Sequence, residues 1–387
     1  MNIRRMLRST AAVAALLLVL CLCAPAPVRA EEAPPAVSAK AAVLMDAQTG
    51  QLLFAQNPDE KRPMASTTKI MTVLLTLESG GLDDSFVVDS EAIRVEGSSM
   101  GLKEGDVVTK RVLCAGMLLP SGNDAANAAA VAVAGSIPAF LERMNARAAG
   151  IGMTRTCFAS PSGLDAAGHG ASAHDMALLA REALRNPDFA ELCRQPKMTV
   201  SFGSPPYPRT LYNTNKLLTR DSSIIGVKTG FTDAAGRCLV SACERKGRRL
   251  ICVTLFDRND WADHLALYDY GFAGASDFTV PLPDSLEIPA EGGAESVIPL
   301  RVRAPLTLTA WKNVQPVYIE SIITPPFLTA PVAEGTAVGA LVYRAENGME
   351  IARLQLFSAS DYPCEKVPEA HGFSAFLQRL RRRIFGR

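Results

Sequence analysis

The chain has 387 residues, with 40 Lys plus Arg set against 39 Asp plus Glu for a net charge of +1. That length holds two or three domains with a real core, and so small a net charge gives no global field for a nucleic-acid partner. Mean hydropathy is +0.12, and part of that apolar excess lies at the N-terminus.

There, Arg4, Arg5 and Arg8 precede an apolar stretch from Ala11 to Leu22, and small residues run through Ala24-Pro25-Ala26-Pro27 to Ala30. This order predicts a secretory signal peptide over residues 1–30, cleaved after Ala30. The apolar core is short for an uncleaved span. Leu20 and Leu22 stand where a lipoprotein signal needs a small residue before Cys21 or Cys23.

Residues 31–35 read as a flexible lead. A hairpin follows, with strands at Ala42–Asp46 and Leu52–Phe54 around Gln48-Thr49-Gly50. The middle of the chain reads as largely helical, with helices over 125–134, 137–150 and 173–184. The first starts behind Asn123-Asp124, a plausible capping pair. Strand-like runs return at Ile224–Val227, Cys238–Ala242 and Leu250–Leu255, and a helix over 260–270 closes this part. Strands at both ends with helices between predict an α/β domain over residues 31–274, a mixed sheet covered by helices.

Near Ala275 the composition shifts to Val, Leu, Thr and Pro in short alternating runs, with a hairpin through Asn347-Gly348. A small all-β domain is expected over residues 275–364, as a spacer or docking module. In the tail, residues 365–387, Phe373, Phe376, Leu377, Leu380 and Ile384 fall on one helical face with arginines around them. This predicts a short basic amphipathic helix that lies on an anionic membrane surface.

Nine cysteines include two in the signal, so an odd seven remain and at least one is unpaired. With Arg245-Lys246-Gly247-Arg248 at a hairpin tip, Cys243 and Cys252 become diagonal neighbours, a poor geometry for a disulfide. Small buried hydrophobes are the expectation. No Cys-x-x-Cys pair and no His cluster is present, so neither a metal nor a cofactor is expected. His169, His174, His264 and His371 lack the context of a catalytic triad.

Three motifs carry chemistry in order: Ser66-Thr67-Thr68-Lys69, Ser121-Gly122-Asn123 and Lys228-Thr229-Gly230. Each alone is weak; the ordered triple in its local context is strong. Ser66 stands at the mouth of a helix, after a turn-rich segment and before an apolar run at helical spacing. At i, i+3 it shares a face with Lys69, whose amine serves as a base only if burial or a second cation, Lys228, lowers its pKa. Ser121 is placed to relay a proton to the leaving amine, and Asn123 to hold substrate backbone or orient Lys69. Lys228 and Thr229 suit a substrate carboxylate, and Gly230 and Phe231 continue a strand edge that a peptide lies beside. Two backbone N–H groups, from Ser66 and from the strand after Lys228, are the expected oxyanion hole.

These residues resemble those of the low-molecular-mass penicillin-binding proteins, serine-type D-alanyl-D-alanine carboxypeptidases. The resemblance runs from about Ala42 to the C-terminus. It includes Asp46-Ala47-Gln48-Thr49-Gly50, Ser121-Gly122-Asn123-Asp124, Met144-Asn145, Gly163-Leu164, Asp175-Met176-Ala177 and Lys228-Thr229-Gly230-Phe231-Thr232. It implies a β-lactamase/transpeptidase-like fold with a C-terminal β domain and amphipathic tail. Ser66 would match the acyl-ester nucleophile, Lys69 the proton acceptor, Ser121 and Asn123 the second motif, and Lys228 the carboxylate binder. The implied activity is removal of terminal D-alanine from peptidoglycan pentapeptides on the outer face of the cytoplasmic membrane, in peptidoglycan biosynthesis and cell-shape maintenance, with acylation by β-lactams. Phe231 departs from relatives that carry histidine there. A D-Ala-D-Ala endopeptidase would share every motif. A β-lactamase of the kind that deacylates through a glutamate is disfavoured, because Glu142-Arg143-Met144-Asn145 falls inside a helix. A silent scaffold is disfavoured by the intact site.

Overall fold

The computed structural model describes residues 33–346 and 348–365, and Leu377, Leu380, Arg381 and Arg383. The signal peptide, Asn347 of the expected hairpin turn and most of the tail lie outside the described residues.

In chain order the first part comprises β1 (Ala41–Asp46), β2 (Leu52–Gln56), a 3-10 turn (Ala65–Thr68), α1 (Lys69–Glu78), β3 (Ser85–Val87), β4 (Val107–Thr109), α2 (Lys110–Leu118), α3 (Asn123–Ala134), α4 (Ile137–Ile151), α5 (Ala173–Ala183), α6 (Pro187–Cys193), β5 (Lys197–Gly203), β6 (Pro206–Tyr212), α7 (Leu217–Arg220), β7 (Ile224–Thr232), β8 (Gly236–Arg245), β9 (Arg248–Leu255) and α8 (Asp260–Gly274). The central sheet runs β2-β1-β9-β8-β7. Every pairing in it is antiparallel, where the sequence predicts a mixed sheet. The β1–β2, β7–β8 and β8–β9 pairs are each joined by a short turn, so each strand reverses its predecessor, while the β1–β9 pairing is long-range.

Both faces of this sheet are covered. Val43 and Met45 of β1 and Ile251 and Val253 of β9 join the core that also holds α1 and α5. Leu44, Leu250 and Cys252 point the other way, against Leu267 and Tyr268 of α8. A strand buried on both faces has no reason to alternate, which explains the unbroken burial of Ala41–Asp46. Under α8, Ser241 Oγ bonds His264 Nδ1 and Tyr268 OH, both at 2.6 Å, and Thr254 Oγ1 bonds His264 Nε2 at 3.0 Å. That network satisfies a fully buried histidine, which burial holds neutral with a pKa of about 3.

A second sheet, β3-β4-β5-β6, stands beside the helices. Its β5–β6 hairpin has no counterpart in the sequence expectation, because Pro206 and Pro208 interrupt the alternation of β6. Arg209 stacks across the hairpin 4.0 Å from the Phe202 ring, and fixes the hairpin to the 96–106 loop by donating to the Gly101 carbonyl at 2.9 Å.

The small β domain comprises β10 (Ala275–Thr279), β11 (Glu287–Glu291), β12 (Val297–Arg301), β13 (Thr307–Trp311), β14 (Ile319–Ile323), β15 (Leu328–Thr329), β16 (Ala337–Arg344) and β17 (Glu350–Ser358). Six strands form one sheet in the order β14-β16-β17-β12-β11-β15 over a core of its own that includes Ile298, Leu341, Tyr343 and Leu356. In the expected hairpin Leu341 pairs with Leu354 and Tyr343 with Ala352. The seven cysteines among the described residues are free, and Cys114, Cys193, Cys238, Cys243 and Cys252 are buried. Cys243 faces Leu250 and Cys252 faces Ser241, so the two are diagonal.

Candidate active site

The nucleophile motif forms the 3-10 turn Ala65–Thr68, which runs directly into α1. Thr67 closes the turn by donating its hydroxyl to the Met64 carbonyl at 2.6 Å. Two glycines let other backbone approach: a Cβ on Gly163 would lie 2.0 Å from the Ala65 carbonyl oxygen, and one on Gly230 would lie 3.1 Å from the Ser66 nitrogen. Ala65 itself sits at φ +47°, left-handed backbone that costs a non-glycine residue about 1–3 kcal/mol. The burial of Ile70, Met71, Val73 and Leu74 on α1 pins this segment against that cost. Thr72 adds a hydroxyl bond to the Pro161 carbonyl at 2.6 Å. Thr68 Oγ1 lies 2.9 Å from His169 Nε2, while His169 Nδ1 accepts from the Ala159 N–H at 3.0 Å. Nδ1 therefore carries no proton and Nε2–H donates to Thr68. Burial lowers this histidine to about 4 and keeps it neutral, a structural role in line with its lack of triad context.

Lys69 is fully buried. Its Nζ lies 2.8 Å from Ser66 Oγ, 2.7 Å from Asn123 Oδ1 and 2.6 Å from the Ser162 carbonyl oxygen. The Asn123 amide orientation follows from its other end, where Nδ2 donates to the Glu96 carbonyl at 2.7 Å. Two of the three lysine partners can only accept. In its neutral form, with two N–H bonds and one lone pair, the amine would donate to Asn123 and Ser162 and turn the lone pair to the Ser66 hydroxyl. Burial, and then the charge of Lys228, push the Lys69 pKa well down, with Asp124 opposing.

Ser121 and Asn123 bracket the start of α3. Ser121 is buried at φ +67°, and Gly122, the residue before the helix, donates to the Gly116 carbonyl at 2.9 Å. Asn123-Asp124 does not cap the helix from outside; both residues lie within its first turn. Asp124 instead accepts from the backbone N–H groups of Met100, Gly101 and Leu102 at 2.9–3.0 Å. The loop at Glu96–Met100 is thereby stapled behind Asn123.

β7 runs through the third motif to Thr232 and is the edge strand of the sheet. Lys228 is fully buried and its Nζ donates to the Thr229 carbonyl at 2.8 Å. Among the described residues no carboxylate pairs with it, and burial alone brings its pKa to about 7. A buried, unpaired ammonium beside a cleft is stabilised by a bound anion. Thr229 Oγ1 lies 2.6 Å from Thr214 Oγ1, and the Thr214 N–H donates to the Leu119 carbonyl just before the Pro120-Ser121 turn. Phe231 is 64% exposed on the strand.

The structure thus brings Ser66, Lys69, Asn123, Lys228 and Gly230 together, with Ser121 at the start of the same turn as Asn123. Thr214, the Ser162 carbonyl and Asp124 belong to the same surroundings and were not singled out for it by sequence reasoning. Only Gly163 and Asp124, inside quoted motifs, signal two of them. Glu142 is exposed on α4, and Asn145 is committed to the backbone of Leu141 and Phe158. That helix therefore supplies no carboxylate to the cleft.

Fold and site together define a serine-type hydrolase of the β-lactamase/transpeptidase-like class. The family profile described as D-alanyl-D-alanine carboxypeptidase matches residues 28–259. The chain belongs to this family of serine-type D-alanyl-D-alanine carboxypeptidases. It is 36% identical over 239 residues to D-alanyl-D-alanine carboxypeptidase DacB2 of Mycobacterium tuberculosis, covering 60% of this chain and 81% of that one. To D-alanyl-D-alanine carboxypeptidase DacC of Escherichia coli it is 33% identical over 346 residues, 83% of this chain and 84% of that one. The crystal structure of penicillin binding protein 5 from Haemophilus influenzae superposes with a TM-score of 0.64 at 28% identity, covering 86% of this chain and 99% of that one.

Proposed function

We propose that this enzyme removes the terminal D-alanine from peptidoglycan stem pentapeptides through an acyl-enzyme on Ser66, and that β-lactams acylate the same oxygen. The observation that carries the assignment is the environment of Lys69 Nζ, two obligate acceptors and one serine hydroxyl. The substrate carboxylate is received by Lys228, Thr229 and Thr214. Lys69 takes the Ser66 proton as Oγ attacks the penultimate carbonyl, and the N–H groups of Ser66 and Phe231 hold the oxyanion. The D-alanine nitrogen leaves with a proton delivered through Ser121. Water then attacks the ester, giving its proton to Lys69, and Ser66 recovers its hydroxyl while the shortened peptide carries the new carboxylate.

The test is release of D-alanine from diacetyl-Lys-D-Ala-D-Ala, with and without penicillin. Penicillin-sensitive release is expected. Stable penicillin labelling without release would favour cleavage of cross-links instead, and rapid penicillin hydrolysis would identify a β-lactamase and overturn the reading.

We further propose export by the N-terminal segment and attachment to the outer face of the cytoplasmic membrane through the basic amphipathic tail, residues 365–387. Support comes from the pattern of arginines and apolar residues in those two segments. A chain ending before Phe373 is expected to lose co-flotation with anionic vesicles and keep its activity on soluble peptides. Undiminished flotation would remove the tail from the proposal.

A further inference from the structure

The loop that begins at Ser162 and Gly163, against Lys69 and Ser66, does not end there. It carries Asp165, exposed on the rim, back across the cleft to β7. There the Thr232 hydroxyl donates to Asp165 Oδ1 at 3.1 Å. Asp165 forms no ion pair among the described residues. Asp165 and Lys61 both act on His169 from a distance. Asp233 next along the chain is exposed and has the same sign.

Position along β7 gives this carboxylate its meaning. The carboxylate anchor lies at Lys228 and Thr229, and the Ser66 nitrogen faces Gly230. A peptide laid along the strand therefore has its C-terminus at 228–229 and its scissile carbonyl at 230–231, with its preceding residue at Thr232. Strand geometry agrees: Thr229 to Thr232 is three steps of about 3.4 Å, roughly 10 Å, the span of three extended residues. In peptidoglycan stem peptides the third residue from the D-Ala-D-Ala terminus is a diamino acid, whose side chain ends in an amine.

We propose that Asp165, held by Thr232, is the subsite for the free side-chain amino group of the stem peptide's third residue. The inference rests on the carboxypeptidase reading above and extends it to substrate class: peptides with a free ammonium are favoured over the same peptides with that amine acylated or cross-linked. The enzyme then acts on uncross-linked stems. The carboxylate makes one charge-assisted contact at a solvent-exposed rim, so its effect is modest and screened by salt.

The test compares kcat/KM of the full chain for Nα-acetyl-Lys-D-Ala-D-Ala and its Nε-acetylated form. The free amine is expected to be favoured about two- to fivefold at low salt, with the ratio shrinking as ionic strength rises. Asp165→Asn, which retains an acceptor for Thr232, is expected to bring the ratio to about one, and Asp165→Glu to restore it in part. A ratio near one in the unaltered enzyme, or one that survives in Asp165→Asn, overturns the subsite. Absence of release from both peptides overturns the carboxypeptidase reading and the subsite with it.

Discussion

A Ser66→Ala enzyme is expected to form no covalent adduct with penicillin and to lose D-alanine release by on the order of 10⁴-fold or more, while folding normally. The reasoning separates the two halves of the site. Lys69 keeps Asn123 and the Ser162 carbonyl as partners when the serine hydroxyl goes, so the buried amine stays satisfied and the stability change stays within about 1 kcal/mol. Chemistry has no such reserve, because the lysine lone pair has only the residue-66 oxygen to act on. Intact-protein mass spectrometry after penicillin treatment, with a thermal melt alongside, checks both halves. An adduct on the variant at any other residue would refute Ser66 as nucleophile.

The second large effect concerns the pair of buried amines. In the proposed mechanism Lys69 must be neutral to accept a proton, and Lys228 must be charged to bind a carboxylate. Burial lowers both, and the charge of Lys228 lowers Lys69 further. The kcat/KM profile is therefore expected to rise with pH as Lys69 deprotonates and to fall as Lys228 loses its proton near its pKa of about 7, with apparent values that belong to the pair. Bound substrate carboxylate favours charged Lys228, so the basic limb of kcat lies at higher pH than that of kcat/KM. Lys228→Gln is expected to lower kcat/KM by on the order of 10²-fold or more through lost carboxylate binding. It also removes the repulsion that helps keep Lys69 neutral, which moves the acid limb to higher pH. An acid limb that stays in place in this variant would show that the two lysines are not coupled.

The catalytic motifs were legible because each is short and local. Ser66 and Lys69 share one helical turn, and Lys228 lies on a strand whose apolar run is plain in the sequence. What surrounds them was not, for two physical reasons. Several partners are backbone atoms, such as the Ser162 and Glu96 carbonyls, and any residue type supplies those. Others meet only through the fold: Thr214 and Asp165 reach β7 from segments 15 and 67 residues away. The β5–β6 hairpin was hidden by its prolines and is secured by tertiary contacts such as the Arg209 bond to the Gly101 carbonyl, which leave no periodic signal. The antiparallel order of β7, β8 and β9 follows from the turns that join them and was in principle readable from them, whereas the β1–β9 pairing is long-range and was not.

β7 closes one side of the central sheet, with no strand paired beyond it among the described residues, and a bare strand edge is a template for any extended chain, including a misfolded neighbour. Here the edge is framed at both ends of its working stretch, by the Thr214 hydroxyl at Thr229 and by Asp165 at Thr232. The opening between them is about three residues long, shorter than the five or six residues of an average strand. A peptide tip fits such a window, whereas a folded or aggregating polypeptide gains too few ladder bonds there to hold. The frame proposed to size the substrate would thus also limit self-association along this edge.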